Sequence, residues 1–220
     1  MEPTNRRDGE ISSFITSMLH RLPRPHFSPC VALAPSSISG LGLTAQRAIG
    51  AGEVLVVEQG PRVGKRIVNA ISEFTGYECN TCVGWGEYLI HAPLHDEGHG
   101  AYLNHHCDPN AGMLADGIWV AIRPIATGTE ITVDYGTFET MRGWSMECTC
   151  ASKRCRHTVT AADFRLTDLQ DRLGPWFAPY LKRQIRADSG IDLNQTVDAI
   201  ERNARDDVTA MLTAWKTLGR

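Results

Sequence analysis

The sequence has no long hydrophobic run. No stretch approaches the roughly 18 apolar residues that a transmembrane helix needs. Its start, MEPTNRRDGE, has no apolar core of the kind found in a secretory signal. We therefore expect no membrane span and no export. An excess of charge of one sign is also missing, because 22 basic and 25 acidic residues leave a formal net charge of -3. Direct nucleic-acid binding is therefore not expected.

Cysteine is the residue type that needs an explanation. The chain has 7 cysteines among 220 residues, an odd number, and no visible export signal. Reduced thiols or metal ligands are therefore expected rather than a disulfide framework.

Hydrophobic periodicity predicts helices at both ends of the chain and short strands between them. Residues 11–19 have apolar side chains at helical spacing, and prolines follow. Short β-like runs occupy 30–60 and 118–133, whereas 61–100 give no clear pattern. The pattern turns helical again after 160, so the expected fold class is α+β.

The predicted C-terminal helices start near Thr167, which has capping-box spacing to Gln170. Gly174-Pro175 ends the first of them, and 177–185 continue the pattern. A long apolar stripe over 197–218 predicts a helix that either docks on its own core or forms a homodimer seam.

Three cysteines fall within eight residues, as Cys148-x-Cys150-x4-Cys155, in a polar stretch that has nothing to bury them against. Zinc prefers four tetrahedral ligands, so the three thiolates require a fourth ligand from elsewhere. The candidates are histidines and the remaining cysteines, Cys30, Cys79, Cys82 and Cys107. The spacing of Cys79 and Cys82 fits half of a second zinc site, a redox pair or two plain thiols.

Four motifs in order resemble those of the SET-domain protein lysine methyltransferases. They are GLG at 40–42 with AIGAGE at 48–53, YLIHA at 88–92, NHHCDPN at 104–110 and GTEITVDYG at 128–136. The CxCx4C cluster lies where that family has its post-SET segment. The most specific of these matches is NHxCxPN, followed by xDYG and then by the cysteines.

The resemblance implies a SET fold of short twisted β-sheets, the β-clip, flanked by helices. In that fold the NHxCxPN segment threads past the loop around Tyr135 as a pseudoknot. The predicted division is an N-terminal helix and linker at 1–29, the SET domain at 30–145, the post-SET zinc segment at 146–165 and a helical extension at 166–220.

The resemblance also implies transfer of a methyl group from S-adenosylmethionine to a lysine ε-amine of a protein substrate. Tyr135 matches the active-site tyrosine of the family. Gly40, Leu41, Gly42, Asn104 and His105 match the residues that hold the cofactor; in the family the Asn side chain and the His backbone make these contacts. Paired glycines let a backbone approach a ligand closely.

In family members with a post-SET segment, the cysteine of NHxC joins the CxCx4C cluster. This implies one structural zinc ion bound by Cys107, Cys148, Cys150 and Cys155.

The residue before Asp134 controls in this family how many methyl groups fit. Here it is Val133, which is smaller than the usual aromatic, so di- or trimethylation is expected unless Phe138 or Trp144 fills the space. These three side chains are the expected substrate channel.

Two alternatives remain open, namely a catalytically silent SET module that binds a partner and a methyltransferase for a non-protein amine. The expected location is cytoplasmic.

Overall fold

The computed structural model describes residues 6–93 and 102–189. Within these residues it has short strands and four α-helices, which confirms the α+β class. The helices are α1 (Arg6–Leu19), α2 (Lys65–Thr75), α3 (Thr167–Leu173) and α4 (Pro179–Ser189). The strands are β1 (His26–Phe27), β2 (Val31–Pro35), β3 (Leu41–Ala45), β4 (Val54–Val57), β5 (Arg62–Gly64), β6 (Asn80–Gly84), β7 (Glu87–Ile90), β8 (Asn104–His105), β9 (Ala111–Ala115), β10 (Ile118–Ala121), β11 (Glu130–Val133), β12 (Ser145–Glu147) and β13 (Thr158–Thr160).

The strands form small sheets in the orders β1-β4-β10-β9, β2-β3-β11-β8 and β5-β7-β6, together with the ribbon β12-β13. In the second sheet β11 is antiparallel to β3 and parallel to β8. The parallel register places Asn104 opposite Thr132 and His105 opposite Val133. This pairing brings the NHHCDPN segment beside the strand that leads to Tyr135. The predicted pseudoknot requires this juxtaposition, and the threading itself stays a prediction.

The core centres on β4, whose four residues are all buried. A continuous Val/Leu run is typical of a strand that is covered on both faces, and β4 lies between β1 and β10. The β9–β10 hairpin turns at Gly117, which has a φ of +73°. A Cβ there would lie 2.9 Å from the carbonyl oxygen of Glu58, so the turn requires glycine.

The N-terminal helix is confirmed, and it begins at Arg6. Its predicted apolar stripe is divided: Leu19 is buried, whereas Phe14 and Met18 are exposed. Helix α2 occupies part of the stretch where the sequence gave no clear pattern. Among the described helices, none is both long and apolar enough to cross a membrane.

Helices α3 and α4 confirm the helical pattern after 160. The predicted capping box is wrong: Thr167 is the first helical residue, and no side chain caps this helix. The amide of Gln170 instead donates to the carbonyl oxygen of Phe164 at 2.8 Å. The apolar stripe at 197–218, and with it the predicted homodimer seam, lies outside the described residues.

Candidate active site

Four cysteine thiols converge on one point between β8 and the β12–β13 ribbon. Each of their sulfur atoms lies within 4.8 Å of every other, and the members are Cys107, Cys148, Cys150 and Cys155. The sulfurs of Cys107 and Cys148 are 3.9 Å apart. Zinc at about 2.3 Å from each of four sulfurs would place them about 3.8 Å apart, so this donor set fits a tetrahedral zinc ion.

Hydrogen-bond donors face the sulfur of Cys107, which is fully buried. The backbone N–H of Arg156 donates to it at 3.4 Å, and Nε2 of His105 lies 3.3 Å away. Burial raises the pKa of Cys150, but the backbone N–H groups of Cys107 and Ser152 outweigh burial and bring it to about 7. This favours the thiolate of Cys150, the form that binds metal. Burial instead raises the pKa of Cys107, and it raises that of Cys148 to about 11, so metal binding would release protons from these two thiols.

The other three cysteines lie apart from this cluster as free, buried thiols. Cys30 donates to the hydroxyl of Ser28, and Cys82 contacts the hydroxyl of Tyr180 at 3.3 Å. Burial raises the pKa of Cys79 to about 11, so this thiol keeps its proton at neutral pH. Among the residues described, neither Cys79 nor Cys82 belongs to a metal-like cluster, and the structure favours the interpretation of plain thiols.

Tyr135 begins a 3-10 turn, Tyr135–Thr137, directly after β11. Its hydroxyl donates to the carbonyl oxygen of Leu103 at 2.9 Å, and its backbone N–H donates to Nδ1 of His105 at 3.1 Å. Because Nδ1 accepts, the proton of the neutral imidazole is on Nε2 and points at Cys107. Burial lowers the pKa of His105 to about 4, so the ring is neutral at pH 7.

A buried ion-pair network holds the residue before Tyr135. Asp134 is fully buried and accepts two hydrogen bonds from Arg156, at 2.7 and 2.6 Å. Nε of the same guanidinium donates to Asp163 at 2.7 Å. Asp134 also accepts the N–H of Gly136 at 3.0 Å and thereby caps the turn. The network therefore connects the segment between β12 and β13 to the turn that carries Tyr135.

Tyr135 faces a cavity of about 260 Å³. Its lining combines aromatic and acidic side chains, and among the described lining residues three are glutamates and none is lysine or arginine. The aromatic residues are Tyr102, Trp119, Tyr135, Phe138 and Trp144, and the glutamates are Glu58, Glu78 and Glu139. Burial, followed by the charges of Glu78 and Glu139, raises the pKa of Tyr135 to about 12.

Two of the three predicted channel residues lie at this cavity. The rings of Phe138 and Trp144 have centroids 5.5 and 6.1 Å from that of Tyr135, and both side chains line the space. Val133 is fully buried within β11 and is not one of the lining residues.

The predicted cofactor residues also lie together. The side-chain amide nitrogen of Asn104 lies 3.0 Å from the carbonyl oxygen of Leu41 and 2.8 Å from Oε1 of Glu130. The hydroxyl of Ser36 donates to the same carboxylate at 2.8 Å. These contacts direct the amide nitrogen of Asn104 toward Leu41 and Glu130.

The two glycines of GLG have different surroundings. A Cβ on Gly42 would lie 2.3 Å from Oε1 of Glu130, so this glycine makes room for a side chain of the protein itself. Gly40 has a φ of +50°, and no atom lies within 4 Å of the position of its Cβ, so this side is open.

Sequence reasoning missed Glu58, Glu130 and Arg156. Glu58 is buried and accepts a short hydrogen bond from the hydroxyl of Tyr102. Its other carboxylate oxygen has no partner in the described part of the chain. A carboxylate at the end of the β-like run VLVVE was a usable signal, since a glutamate is seldom fully buried unless it is paired.

Known proteins are similar to this chain over the segments that carry these residues. A family model described as SET domain matches residues 40–136. The chain is 27% identical over 162 residues to the histone-lysine N-methyltransferase trithorax of Drosophila virilis, covering 68% of this chain and 4% of that protein. A crystal structure of KRYPTONITE in complex with mCHG DNA and SAH is similar, with a TM-score of 0.43 and 21% identity over 58% of this chain and 28% of that one. The chain thus spans a small part of the length of each.

Proposed function

Since a SET-domain family model matches residues 40–136, we propose that the protein transfers a methyl group from S-adenosylmethionine to the ε-amine of a lysine in another protein. The observation that carries the proposal is the cavity beside Tyr135, with its aromatic walls and its three glutamates. Aromatic faces and carboxylates both attract a cationic side chain. The three carboxylates would repel an acidic side chain.

The hydroxyl of Tyr135 acts as an acceptor toward the cavity. Its hydrogen is engaged by the carbonyl oxygen of Leu103, which leaves the oxygen lone pairs for an incoming N–H or a polarised methyl group. With a pKa of about 12 the phenol keeps its proton at neutral pH. Tyr135 therefore orients the amine and does not serve as a base.

The substrate must reach the reaction as a neutral amine. A free lysine has a pKa near 10.4, so roughly one molecule in a thousand is neutral at pH 7. Glu78 is exposed and attracts the ammonium form. Burial against Phe138 and Trp144 then favours the neutral form through desolvation. With the amine aligned, orientation alone contributes up to about 7–11 kcal/mol.

The residues near β8 fit the cofactor. The amide nitrogen of Asn104 is turned inward by Leu41 and Glu130. Its amide oxygen is therefore available to accept from the amino group of S-adenosylmethionine, while Gly40 offers open backbone. The bound cofactor supplies the methyl group on a positively charged sulfur. Gly40, Leu41, Gly42, Asn104 and His105 remain the proposed cofactor residues.

The thiol cluster is proposed as a structural zinc site. Four thiolates form a closed ligand set with no open position, which is typical of structural rather than catalytic zinc. Filling it would fix the segment from Cys148 to Cys155 against Cys107. These four residues would hold a zinc ion, which would keep the proposed post-SET segment in place beside the turn of Tyr135.

The test is to incubate the purified protein with S-adenosylmethionine carrying a labelled methyl group and with a cell protein extract. Mass spectrometry would then identify the labelled residues and count the methyl groups on each. We expect labelled lysines in protein. Label confined to small molecules would instead indicate a non-protein amine as substrate. No label, together with no binding of S-adenosylhomocysteine, would indicate a silent module.

A further inference from the structure

Arg156 touches the thiol cluster and the active-site turn at the same time. Its backbone N–H donates to the sulfur of Cys107 at 3.4 Å. Its guanidinium extends away from the cluster and donates to both carboxylate oxygens of Asp134, at 2.7 and 2.6 Å. Asp134 precedes Tyr135 and caps the turn through the N–H of Gly136. One residue thus spans the distance from a proposed metal ligand to the proposed catalytic residue.

The guanidinium is held in a single orientation. Asp163 accepts from Nε at 2.7 Å and also accepts from the hydroxyl of Thr160 at 2.7 Å, at the end of β13. The Arg156 side chain is 15% exposed and that of Asp134 is fully buried. A bidentate arginine–carboxylate pair adds geometric specificity. Buried ion pairs often add little net stability, so the conformation they specify is the better reason for this one.

A second connection runs parallel to the first. The imidazole of His105 lies between the sulfur of Cys107, at 3.3 Å from Nε2, and the backbone N–H of Tyr135, at 3.1 Å from Nδ1. The backbone of Tyr135 and the side chain of its neighbour Asp134 are therefore both tied to the same sulfur.

We propose that Arg156 is a positioning residue that couples the thiol cluster to Tyr135, so that metal occupancy of the cluster sets the place of the tyrosine hydroxyl. The inference rests on the proposed function, because it gives the hydroxyl its role. Arg156 does not line the cavity in the described structure, so it acts through Asp134 and not on the substrate.

Substitutions of Arg156 can separate coupling from metal binding, since every replacement except proline keeps the backbone N–H that faces Cys107. For Arg156→Gln we expect kcat to fall roughly 10- to 100-fold, as for a reacting group displaced by about 1 Å. Zinc per chain, KM and the affinity for S-adenosylhomocysteine should stay near those of the wild type. Arg156→Lys keeps the positive charge but cannot make the bidentate contact with Asp134. Its kcat should lie between those of the wild type and Arg156→Gln. Arg154→Gln is the matched control, because Arg154 is half-exposed in the same segment and pairs with the exposed Asp168.

Fluorine NMR of protein labelled with 3-fluorotyrosine gives a readout that is independent of activity. The resonance of Tyr135 is the one that disappears in the spectrum of the Tyr135→Phe variant. Removing the metal with a chelator should shift this resonance in the wild type and in Arg154→Gln. The shift should be smaller in Arg156→Gln, where only the connection through His105 remains. An equal shift in Arg156→Gln, or a wild-type kcat, would overturn the inference. If Arg156→Gln does not fold, Arg156→Lys decides by the same two criteria. A wild type that transfers no methyl group would contradict the proposed function, while the fluorine experiment would still test the coupling.

Discussion

At the scale of single residues, the hydroxyl of Tyr135 is the atom on which the proposed chemistry depends most. Tyr135→Phe should lower methyl transfer by about 10²–10³, the range found when one preorganised hydrogen-bonding group is lost. The ring contacts with Phe138 and Trp144 would remain. Affinity for S-adenosylhomocysteine should stay within about twofold. Steady-state transfer to a lysine peptide and calorimetric titration measure the two quantities.

Tyr180→Phe is the matched control for this prediction. Tyr180 is also a buried phenol whose hydroxyl donates to a backbone carbonyl oxygen, that of Phe138 at 2.6 Å, but it does not line the cavity. Both variants lose a partly buried hydrogen bond, at a cost of about 1 kcal/mol of stability. If the two variants lost activity equally, the hydroxyl of Tyr135 would have no special role.

A second prediction at this scale concerns Gly42. In Gly42→Ala the new Cβ would lie 2.3 Å from Oε1 of Glu130 and 3.2 Å from the amide nitrogen of Asn104. The carboxylate has to move, which should destabilise the protein by about 1–3 kcal/mol. It should also weaken S-adenosylhomocysteine binding, because Asn104 loses its anchor. Urea denaturation and a binding titration measure these effects.

Gly50→Ala is the control for Gly42→Ala. Its Cβ would lie 3.4 Å from Oε1 of Glu53, an ordinary contact, so stability and binding should both be retained. If a folded Gly42→Ala protein bound S-adenosylhomocysteine with unchanged affinity, Glu130 would have no role in cofactor binding.

At the scale of secondary-structure elements, the β12–β13 ribbon is too short to be stable without its thiol cluster, since each strand has only three residues. Cys150→Ser removes one of the four ligands. We expect less than one zinc per chain by elemental analysis, faster reaction of the remaining cluster thiols with an alkylating reagent, and loss of methyl transfer. A chelator should have the same effects on the wild type.

Cys30→Ser is the comparison for this prediction, because Cys30 lies outside the cluster and its hydroxyl replacement can still donate to Ser28. Zinc content and activity should be unchanged in it. Wild-type protein that contains no zinc, or a Cys150→Ser protein that keeps one zinc per chain, would contradict the proposed site.

Elements with a strong local pattern were predictable from the sequence. The valine-rich run became β4, and the apolar residues after 160 became α3 and α4. Helix α2 has the same kind of signal, with Val68 and Ile71 buried on one face and Gly76 as its C-cap. It was not predicted because its surroundings are rich in glycine.

The candidate site was predictable only where a contiguous motif carries it. The thiol ligands and Tyr135 lie in such motifs, and the structure brings Cys107 within reach of Cys148. The contacts of Glu130 with Ser36 and of Arg156 with Asp134 join residues 94 and 22 positions apart. The first contact depends on the antiparallel pairing of β11 with β3 and of β3 with β2. The second depends on the segment before β13 lying against the turn of Tyr135, and no local pattern encodes either arrangement. The paired glycines show the same limit of local patterns. They were expected to make room for a ligand, but the space beside Gly42 is occupied by the side chain of Glu130.

At the scale of the whole molecule, the charge of the cavity is assembled from distant parts of the chain. Glu58 follows β4, Glu78 precedes β6 and Glu139 follows the turn of Tyr135. The chain as a whole has a net charge of only -3. The fold therefore gathers three carboxylates at one cavity of a nearly neutral protein. Burial raises the pKa of Glu139, so the exposed Glu78 is the carboxylate that most directly attracts cationic ligands.

This arrangement predicts that substrates with basic residues next to the target lysine react best, and that salt weakens this preference. Glu78→Gln should raise KM for a lysine peptide with an adjacent arginine about 3- to 10-fold at low salt, with kcat nearly unchanged, because an exposed charge acts mainly on association. At 1 M salt, where the Debye length is about 3 Å, the difference should disappear. Glu10→Gln, an exposed glutamate on α1, is the control and should match the wild type. Equal KM values for peptides with arginine and with glutamine beside the lysine, at low salt, would show that the glutamates do not read the surroundings of the target residue.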